Sequence, residues 1–588
     1  MSSSIGCAPS TIHAIRARDD RRESPQPRRA PVIRRILAGL ALTAAITVGV
    51  LLPPRSMRVT PSPGPRPLFG AVHVHTTKSD GSGTPDEVAA AASRAGLSFL
   101  ILTDHGDAMR APDSPRYRSG VLVIDAVEVS TSGGHIVALG LPRAPYPLRG
   151  EPADVLEDLT RLGAMTIVAH PTSMKNDLRW HDPGRPFDGI EWLNGDSEWR
   201  DEPPLSLVRI LLTYWFRAPE SLALIMDRPA AALALWDRAS QRHEVVGLGG
   251  SDAHAKIGGD MDHGGPAAVH LPSYEQVFRT FSIGLPGVRL SQDAVADARV
   301  VLEAIRAGHL FTAIDAFAAP ARLSLTATGD GVHAEAGGRV PAGPALALRA
   351  ELDAPALAPT LTLYRNGAVV ATTVGSALEY RTDGTASVYR VEATLPVRRG
   401  GPLAPWLVSN PIYVGPRQPD TPVVPPSPTA SRRLYTDGPS PLTVEHSPRS
   451  AGAVGVVAAV GGRQLYLRYA LGGARTDAPF VAFAAPALEI AGFTAVSLSA
   501  HASHPMRVSI QLRAAAEQGS GRWRRSVYLD ETQRRVTLPF AEFLPVRSGL
   551  AAAPPLADIT GLLVVVDTTN TALGSNGEMW LDDVAFVR

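Results

Sequence analysis

One cysteine, Cys7, stands in 588 residues. No intrachain disulfide can form, and ligation of a metal by thiolates is excluded. Charge is also scarce: Asp, Glu, Lys and Arg make up 19% of the chain and leave a formal net charge of +1. No excess of either sign points to nucleic acid or to an acidic partner. There is no Gly-x-Ser-x-Gly elbow and no thiol beyond residue 7, so covalent catalysis by Ser or Cys is not signalled. No short internal repeat is present. Any metal site must be built from His, Asp and Glu.

Glycine and proline, by contrast, are plentiful at 53 and 52 residues, which fits many turns and linkers. The length suggests about four domains at roughly 150 residues each. Arg28, Arg29, Arg34 and Arg35 precede an uncharged run from Ile36 to Leu52. A basic flank before an apolar stretch reads as an export signal or a membrane anchor. No small-x-small cleavage site follows, so an uncleaved anchor is expected. Residues 1–35 then form a basic cytoplasmic tail, 36–52 the anchor and 53–66 a Pro-rich tether, with the rest extracytoplasmic or exported.

Residues 67–319 alternate strand and helix. Leu68–His75 reads as a strand, and Thr84-Pro85-Asp86-Glu87 opens a helix with Thr as cap, Pro at the first position and Glu three residues after the cap. Gly96 closes it. Ser98–Thr103, Ala164–Ala169 and Val245–Leu248 read as strands, and Asp154–Leu162 and Pro229–Arg242 as helices. Repeated strand–helix–strand units predict a mostly parallel sheet, closed into an α/β barrel. Residues 320–415 show short alternating strands, with Asn366-Gly367 as a hairpin signal, and suggest an immunoglobulin-like β-sandwich. A Pro-rich linker occupies 416–431, and 432–588 reads as a jelly-roll sandwich.

The chemistry-bearing residues are His73, His75, Asp80, His105, Glu128, His135, His170, Asp252 and His254. Most stand at or just after a strand end. His73 and His75 lie two apart, and on a strand such residues share a face. The C-terminal strand ends of α/β barrels converge on one face. Imidazole and carboxylate together suit Zn, Mn or Fe, and Glu128 is placed to bridge two ions. His13, His181 and His243 read as ordinary solvated or hydrogen-bonded histidines. Asp104 reads as a hydrogen-bond partner behind the ligands.

His73-x-His75, Ser79-Asp80-Gly81, Thr103-Asp104-His105, Glu128, His135, Ala169-His170-Pro171 and Ser251-Asp252-Ala253-His254 resemble the motifs of the PHP (polymerase and histidinol phosphatase) superfamily. With Trp406-Leu407-Val408-Ser409-Asn410-Pro411-Ile412 they look most like its carbaryl-hydrolase-like branch. The resemblance covers roughly 67–415 and implies a distorted (βα)7 barrel with two or three divalent ions. It implies one ion at His73, His75, Glu128 and Asp252, a second at Glu128, His135 and His170, and a third at Asp80, His105 and His254. It implies hydrolysis by a metal-bridging hydroxide, with catalytic roles for Glu128, Asp252 and His254. A small-molecule phosphoester is the first expected substrate; an amide, carbamate or other ester is the alternative. A surface glycan-binding protein that uses the barrel as scaffold is the rival from another class.

Other segments admit two readings. Lys78 either binds a substrate anion or faces solvent. Asn194 and Asp196 either meet substrate or are loop residues. Leu205–Phe216 is a lid, a membrane-contacting helix near the anchor or, by preference, a packed core helix. Asp583 either binds a structural calcium or ends a strand. Trp523 and Trp580 either stack on sugar rings in a glycan-binding module or fill the core.

Overall fold

The computed structural model describes residues 30–60, 63–182, 184–257, 269–329, 331–343, 345–396, 404–417, 431–435, 439–459, 462–486, 489–515 and 521–588. Cys7, His13, Arg28, Arg29 and most of the Pro-rich linker lie outside these residues. The chain divides into two compact units, Met1–Leu52 and Pro53–Arg588. In the first, α1 (Ala30–Leu51) is a helix long and apolar enough to cross a membrane or to serve as a signal sequence. It takes in Arg34 and Arg35 ahead of the apolar run.

The second unit begins with β1 (Met57–Arg58), β2 (Leu68–Ala71), α2 (Pro85–Ala95), β3 (Phe99–Leu102), β4 (Arg116–Arg118), β5 (Val121–Asp125), β6 (Val127–Thr131) and β7 (Gly134–Leu139). Next come α3 (Pro152–Arg161), β8 (Met165–Val168), β9 (Gly189–Asn194), α4 (Gly195–Arg200), α5 (Pro204–Leu222), α6 (Ala230–Ser240) and β10 (Val246–Gly250). They are followed by α7 (Tyr274–Thr280), β11 (Ser282–Leu285), α8 (Ala294–Arg306) and β12 (Phe311–Ala313). α2 starts where its capping box dictates. The Thr84 hydroxyl accepts from the Glu87 amide, the Glu87 carboxylate accepts from the Thr84 amide, and Gly96 ends the helix at φ 84.

The expected closed (βα)7 barrel does not form. The described residues are mostly β, 39% strand against 20% helix, in several separate sheets. One five-stranded sheet runs β10-β9-β8-β7-β6; the run β12-β11-β2-β3-β5-β4 belongs to a twelve-stranded one. Only two isolated parallel bridges, Val74 to Ala253 and His105 to Glu128, link them. Local chain geometry explains the departure. Ser132 and Gly133 alone separate β6 from β7, and so short a link permits only antiparallel pairing, whereas a parallel crossover needs a dozen residues or more. β8 is antiparallel to β7, and β11 to both β2 and β12. The core between the sheets includes Val72, Phe99, Ile101, Val137, Ile167, Leu248 and Ile283.

The twelve-stranded sheet passes without a break into the following β region, since β12 pairs with Leu407–Ser409. Asn410 then clamps β10. The Gly247 amide donates to its Oδ1 at 2.8 Å, and its Nδ2 donates to the Gly247 carbonyl at 2.8 Å. Asn366 (φ 52) and Gly367 (φ 83) turn a hairpin between Thr360–Arg365 and Ala368–Val374. In place of the fold read for the C-terminal part, two six-stranded sheets, antiparallel throughout, enclose Leu467, Phe483, Leu512, Phe543 and Met579.

Candidate metal centre

The strands that carry the candidate ligands stop where their backbone turns left-handed. His73 has φ 64, His170 φ 31 and Asp252 φ 46, each directly or closely after β2, β8 or β10. Such a conformation costs a non-glycine residue roughly 1–2 kcal/mol, and clusters of it mark functional sites. β2 therefore ends at Ala71, and His73 and His75 are not on one pleated strand. Their rings still lie 5.1 Å apart, brought together by the turn rather than by a two-residue period.

All nine residues converge. Glu128, from β6, is central. Its Oε2 lies 3.1 Å from His73 Nε2, 3.2 Å from His75 Nε2 and 3.2 Å from His105 Nδ1. Its Oε1 lies 2.8 Å from His135 Nδ1 and 3.0 Å from His170 Nε2. Asp252 Oδ1 lies 3.4 Å from His73 Nε2 and 3.3 Å from His75 Nε2. Asp80 Oδ2 lies 3.0 Å from His254 Nε2, and the His254 ring stacks on His75 at 4.1 Å. Four overlapping groups could each surround one ion: His75, Asp80, His105 and His254; His73, His75 and Glu128; His73, His170 and Asp252; His105, Glu128 and His135.

The donor set fits divalent ions on a specific observation. His73 Nε2, both ring nitrogens of His75, His105 Nδ1 and Glu128 Oε2 are buried without a hydrogen-bond partner. Yet these atoms stand 3.1–3.4 Å from one another across the cluster. Nitrogen and oxygen that approach this closely without hydrogen-bond angles are aimed at common points, as ligands of shared ions are. Buried polar atoms left unpaired are otherwise costly. Nitrogen and oxygen donors without sulfur suit Zn, Mn or Fe.

The protein's own charges already polarise the cluster. Burial alone depresses the His73 imidazole, yet Asp252, Glu191 and Glu128 outweigh it and hold it well above its ordinary value. Burial likewise opposes Asp252, Asp80 and Glu128 in His75, which also ends raised. Burial pushes the Glu128 carboxyl up, but His105, His73 and His135 bring it well below the usual range. His105, with burial dominant, is lowered to about 4.

Glu191, on β9, is the residue that sequence reasoning missed. Its Oε1 lies 2.6 Å from His73 Nδ1, and its Oε2 accepts from the His170 amide at 2.9 Å and from Asn194 Nδ2 at 2.8 Å. It thus orients two ligands at once. Gly250 makes room for it, since a Cβ there would stand 1.8 Å from Glu191 Oε1. A single acid inside the apolar run Gly189-Ile190-Glu191-Trp192-Leu193 was the available signal. Asn194 reaches Asp252 Oδ2 at 3.3 Å and also caps α4 through the Ser197 amide. Asp196 bonds only within α4, to Trp199 and Arg200.

Asp104 accepts from the Thr76 amide and hydroxyl, both at 2.8 Å, and from the Ser79 hydroxyl at 2.7 Å, which pins the loop that carries Asp80. Lys78 is paired with Asp113 and Asp125 at 2.7 and 3.0 Å. Beside Asp252 and His254 lies a cavity of about 330 Å³, lined by apolar groups that include Leu207, Ile210, Met226 and Phe281. A larger cleft of about 1040 Å³, lined by Tyr214, Trp215, Arg279 and Asp315 among others, holds none of the nine. In the C-terminal sheets Trp523 is buried, its Nε1 donating to the Ala551 carbonyl. Trp580 is half-buried between His501 and Tyr466, and Asp583 is met by Arg535 at 2.6 Å.

No family model matches the chain, and no curated protein matches it. Among solved structures it is similar to the family 11 carbohydrate-binding module of a Clostridium thermocellum cellulosomal cellulase, at 12% identity and TM-score 0.24 over 27% of this chain and 96% of that one. It is similar to a family 30 carbohydrate-binding module from the same organism, at 9% identity and TM-score 0.21 over 26% and 96%. A two-domain protein from Bacteroides vulgatus, containing a predicted PHP-like metal-dependent phosphoesterase, matches at 14% identity and TM-score 0.28 over 61% and 98%. Scores this low carry no argument about function. The last of these likenesses extends to the PHP superfamily and singles out no branch within it.

Proposed function

We propose that the chain is a metal-dependent hydrolase of the PHP type, a phosphoesterase, with Glu128, Asp252 and His254 as its catalytic groups. The observation that carries this reading is the buried Glu128, ringed by five histidines whose unpaired nitrogens point past one another. Divalent ions held there supply hydroxide near neutral pH and positive charge against the negative charge that develops in hydrolysis. The residues themselves orient and exclude. Glu128 has one oxygen toward His135 and His170 and the other toward His73, His75 and His105, so a single carboxylate serves both sides of the centre. Glu191 and Asn194 fix His73 and Asp252. Half-buried His254, between Asp80 and Asp252, is placed to carry a proton to a leaving oxygen at the mouth. We further read α1 as an uncleaved anchor, with residues 53–588 on the extracytoplasmic side.

The test is metal analysis of the purified chain after reconstitution with Zn, Mn or Fe, followed by a panel of phosphomonoesters, phosphodiesters and aryl esters. Two or three ions per chain, with turnover that chelation abolishes and Asp252→Ala lowers at least about a hundredfold, is the expected result. Less than one ion per chain, with Asp252→Ala unchanged in activity and stability, would overturn the reading. Turnover confined to aryl esters would move the substrate class to carboxyl or carbamate esters.

A further inference from the structure

Leu205–Phe216 does not pack as a core helix. The inner side of α5, with Leu207, Ile210 and Tyr214, lines the apolar cavity that reaches Asp252 and His254. On the other side Leu205, Trp215 and Phe216 are 83%, 71% and 65% exposed, and Val208, Leu211 and Leu212 are exposed with them. These positions recur at helical spacing and form one continuous apolar stripe. A surface helix of a soluble protein keeps a polar outer side; a helix apolar all round is buried or in contact with lipid. In α5 protein covers one side only.

The chain itself indicates what covers the other. α5 kinks at Arg217 (φ −150, ψ 66), ahead of Pro219, which lacks an amide to continue the helix. The Arg217 guanidinium donates to the carbonyl of Pro53. Pro53 is two residues beyond the last residue of α1. An α1 of 22 residues is about 33 Å long, enough for a hydrocarbon core of about 30 Å. Wherever α1 ends, Arg217 is bonded to a backbone within about 7 Å of chain contour. Trp215 and Tyr214 pack edge to face at 5.8 Å just before the kink, an aromatic pair suited to the headgroup level. Arg55 and Arg58, exposed on the same tether, suit anionic lipid.

We propose that α5 is an interfacial helix whose outer stripe lies in the headgroup–acyl boundary of the bilayer that holds α1. The bilayer is the one occupant that chain connectivity brings to this face. Its consequence is that the cavity behind α5, beside Asp252 and His254, sits against the membrane and not out in solvent. This goes beyond the hydrolase reading and does not rest on it.

The experiment uses the full chain with Cys7→Ser, reconstituted in nanodiscs of phosphatidylethanolamine and phosphatidylglycerol. An environment-sensitive dye is attached at Trp215→Cys and, as a control, at Val374→Cys, an exposed strand position. The dye at 215 is expected to emit at shorter wavelength, to be quenched several-fold more by nitroxide-bearing lipid than the control, and to be shielded from aqueous iodide. Equal quenching at the two positions overturns the proposal. A dye shielded from iodide but not quenched by lipid marks a protein partner or a second copy, and overturns it as well. So does a mature chain that has lost α1 and does not sediment with vesicles of the same lipids. Metal content and turnover, measured on the same samples, report separately on the hydrolase.

Discussion

Glu128 and Asp158 are both buried carboxylates, and the molecule answers them in opposite ways. Asp158 is met by protein alone. Arg507, itself buried, donates to its two oxygens at 3.0 and 2.7 Å, Arg161 at 2.7 Å and Tyr146 at 2.8 Å. Arg507 also reaches Glu157 at 3.2 Å, and Arg525 pairs with the neighbouring Asp154. This cluster closes its own charge, and it fastens the strand Met506–Ala514 of the C-terminal sheets to α3. Around Glu128 no Lys or Arg partner is recorded, and the histidine nitrogens facing it are left without hydrogen bonds. Burial alone is therefore a poor guide to function. What separates a clamp from a metal centre is whether the charge is answered by the protein's own cations.

The largest expected effect breaks the clamp. Arg507→Ala strands Asp158 and Asp154 in a buried setting, and removing one partner of a buried ion pair costs about 3–5 kcal/mol. Denaturant unfolding should show that loss whether or not metal is present. A loss that added ions restore would mean the two clusters are coupled.

Glu198, on α4, gives a third solution. Burial first, then Asp227, pushes its carboxyl up from 4.5 to about 9, so it is buried neutral. A raised carboxyl stabilises the fold fully below about pH 4.5 and loses that contribution as pH climbs toward about 9, because the folded state must give up a proton it prefers to keep. Glu198→Gln should match the parent at pH 5 and exceed it at pH 9 by on the order of 2–3 kcal/mol in thermal or denaturant unfolding. Parallel stability curves for the two proteins would show that Glu198 is ionised and paired.

Glu191→Gln sharpens the contrast from the metal side. Loss of a group that orients a ligand typically lowers metal affinity ~10–100-fold. Titration with Zn or Mn should show that drop, with little change in the unfolding midpoint without metal. The smallest effect is a yardstick for an ordinary exposed bond. Thr84→Ala removes the α2 cap and should cost about 1 kcal/mol, the same with or without metal.

The nine ligand positions were legible because residue type and strand-end position are local properties, and so were the Thr84 capping box and the Asn366-Gly367 turn. The route by which His73 and His75 meet was not. Alternation suggested a strand, whereas the φ of 64 at His73 breaks it. Sheet closure was not legible either, because parallel and antiparallel pairing depend on partners far along the chain. The two-residue link Ser132-Gly133 was the local sign that β6 and β7 must reverse. Glu191 was hidden in a run that reads as core. α5 was misread because periodicity reports that a face is apolar and not what covers it.

Asn410 sets an order of events on the growing chain. The strand that ends at Gly250, next to Ser251 and Asp252, takes its register partly from two hydrogen bonds to a side chain 163 residues later. A ribosome that has just made His254 has delivered every donor, but the wall that presents Asp252 still lacks its fastening. A product cut short before residue 410 would carry the whole set of ligands and still hold the last of them loosely. Assembly of the centre is therefore a late step in the life of each molecule, timed by a residue that never touches it.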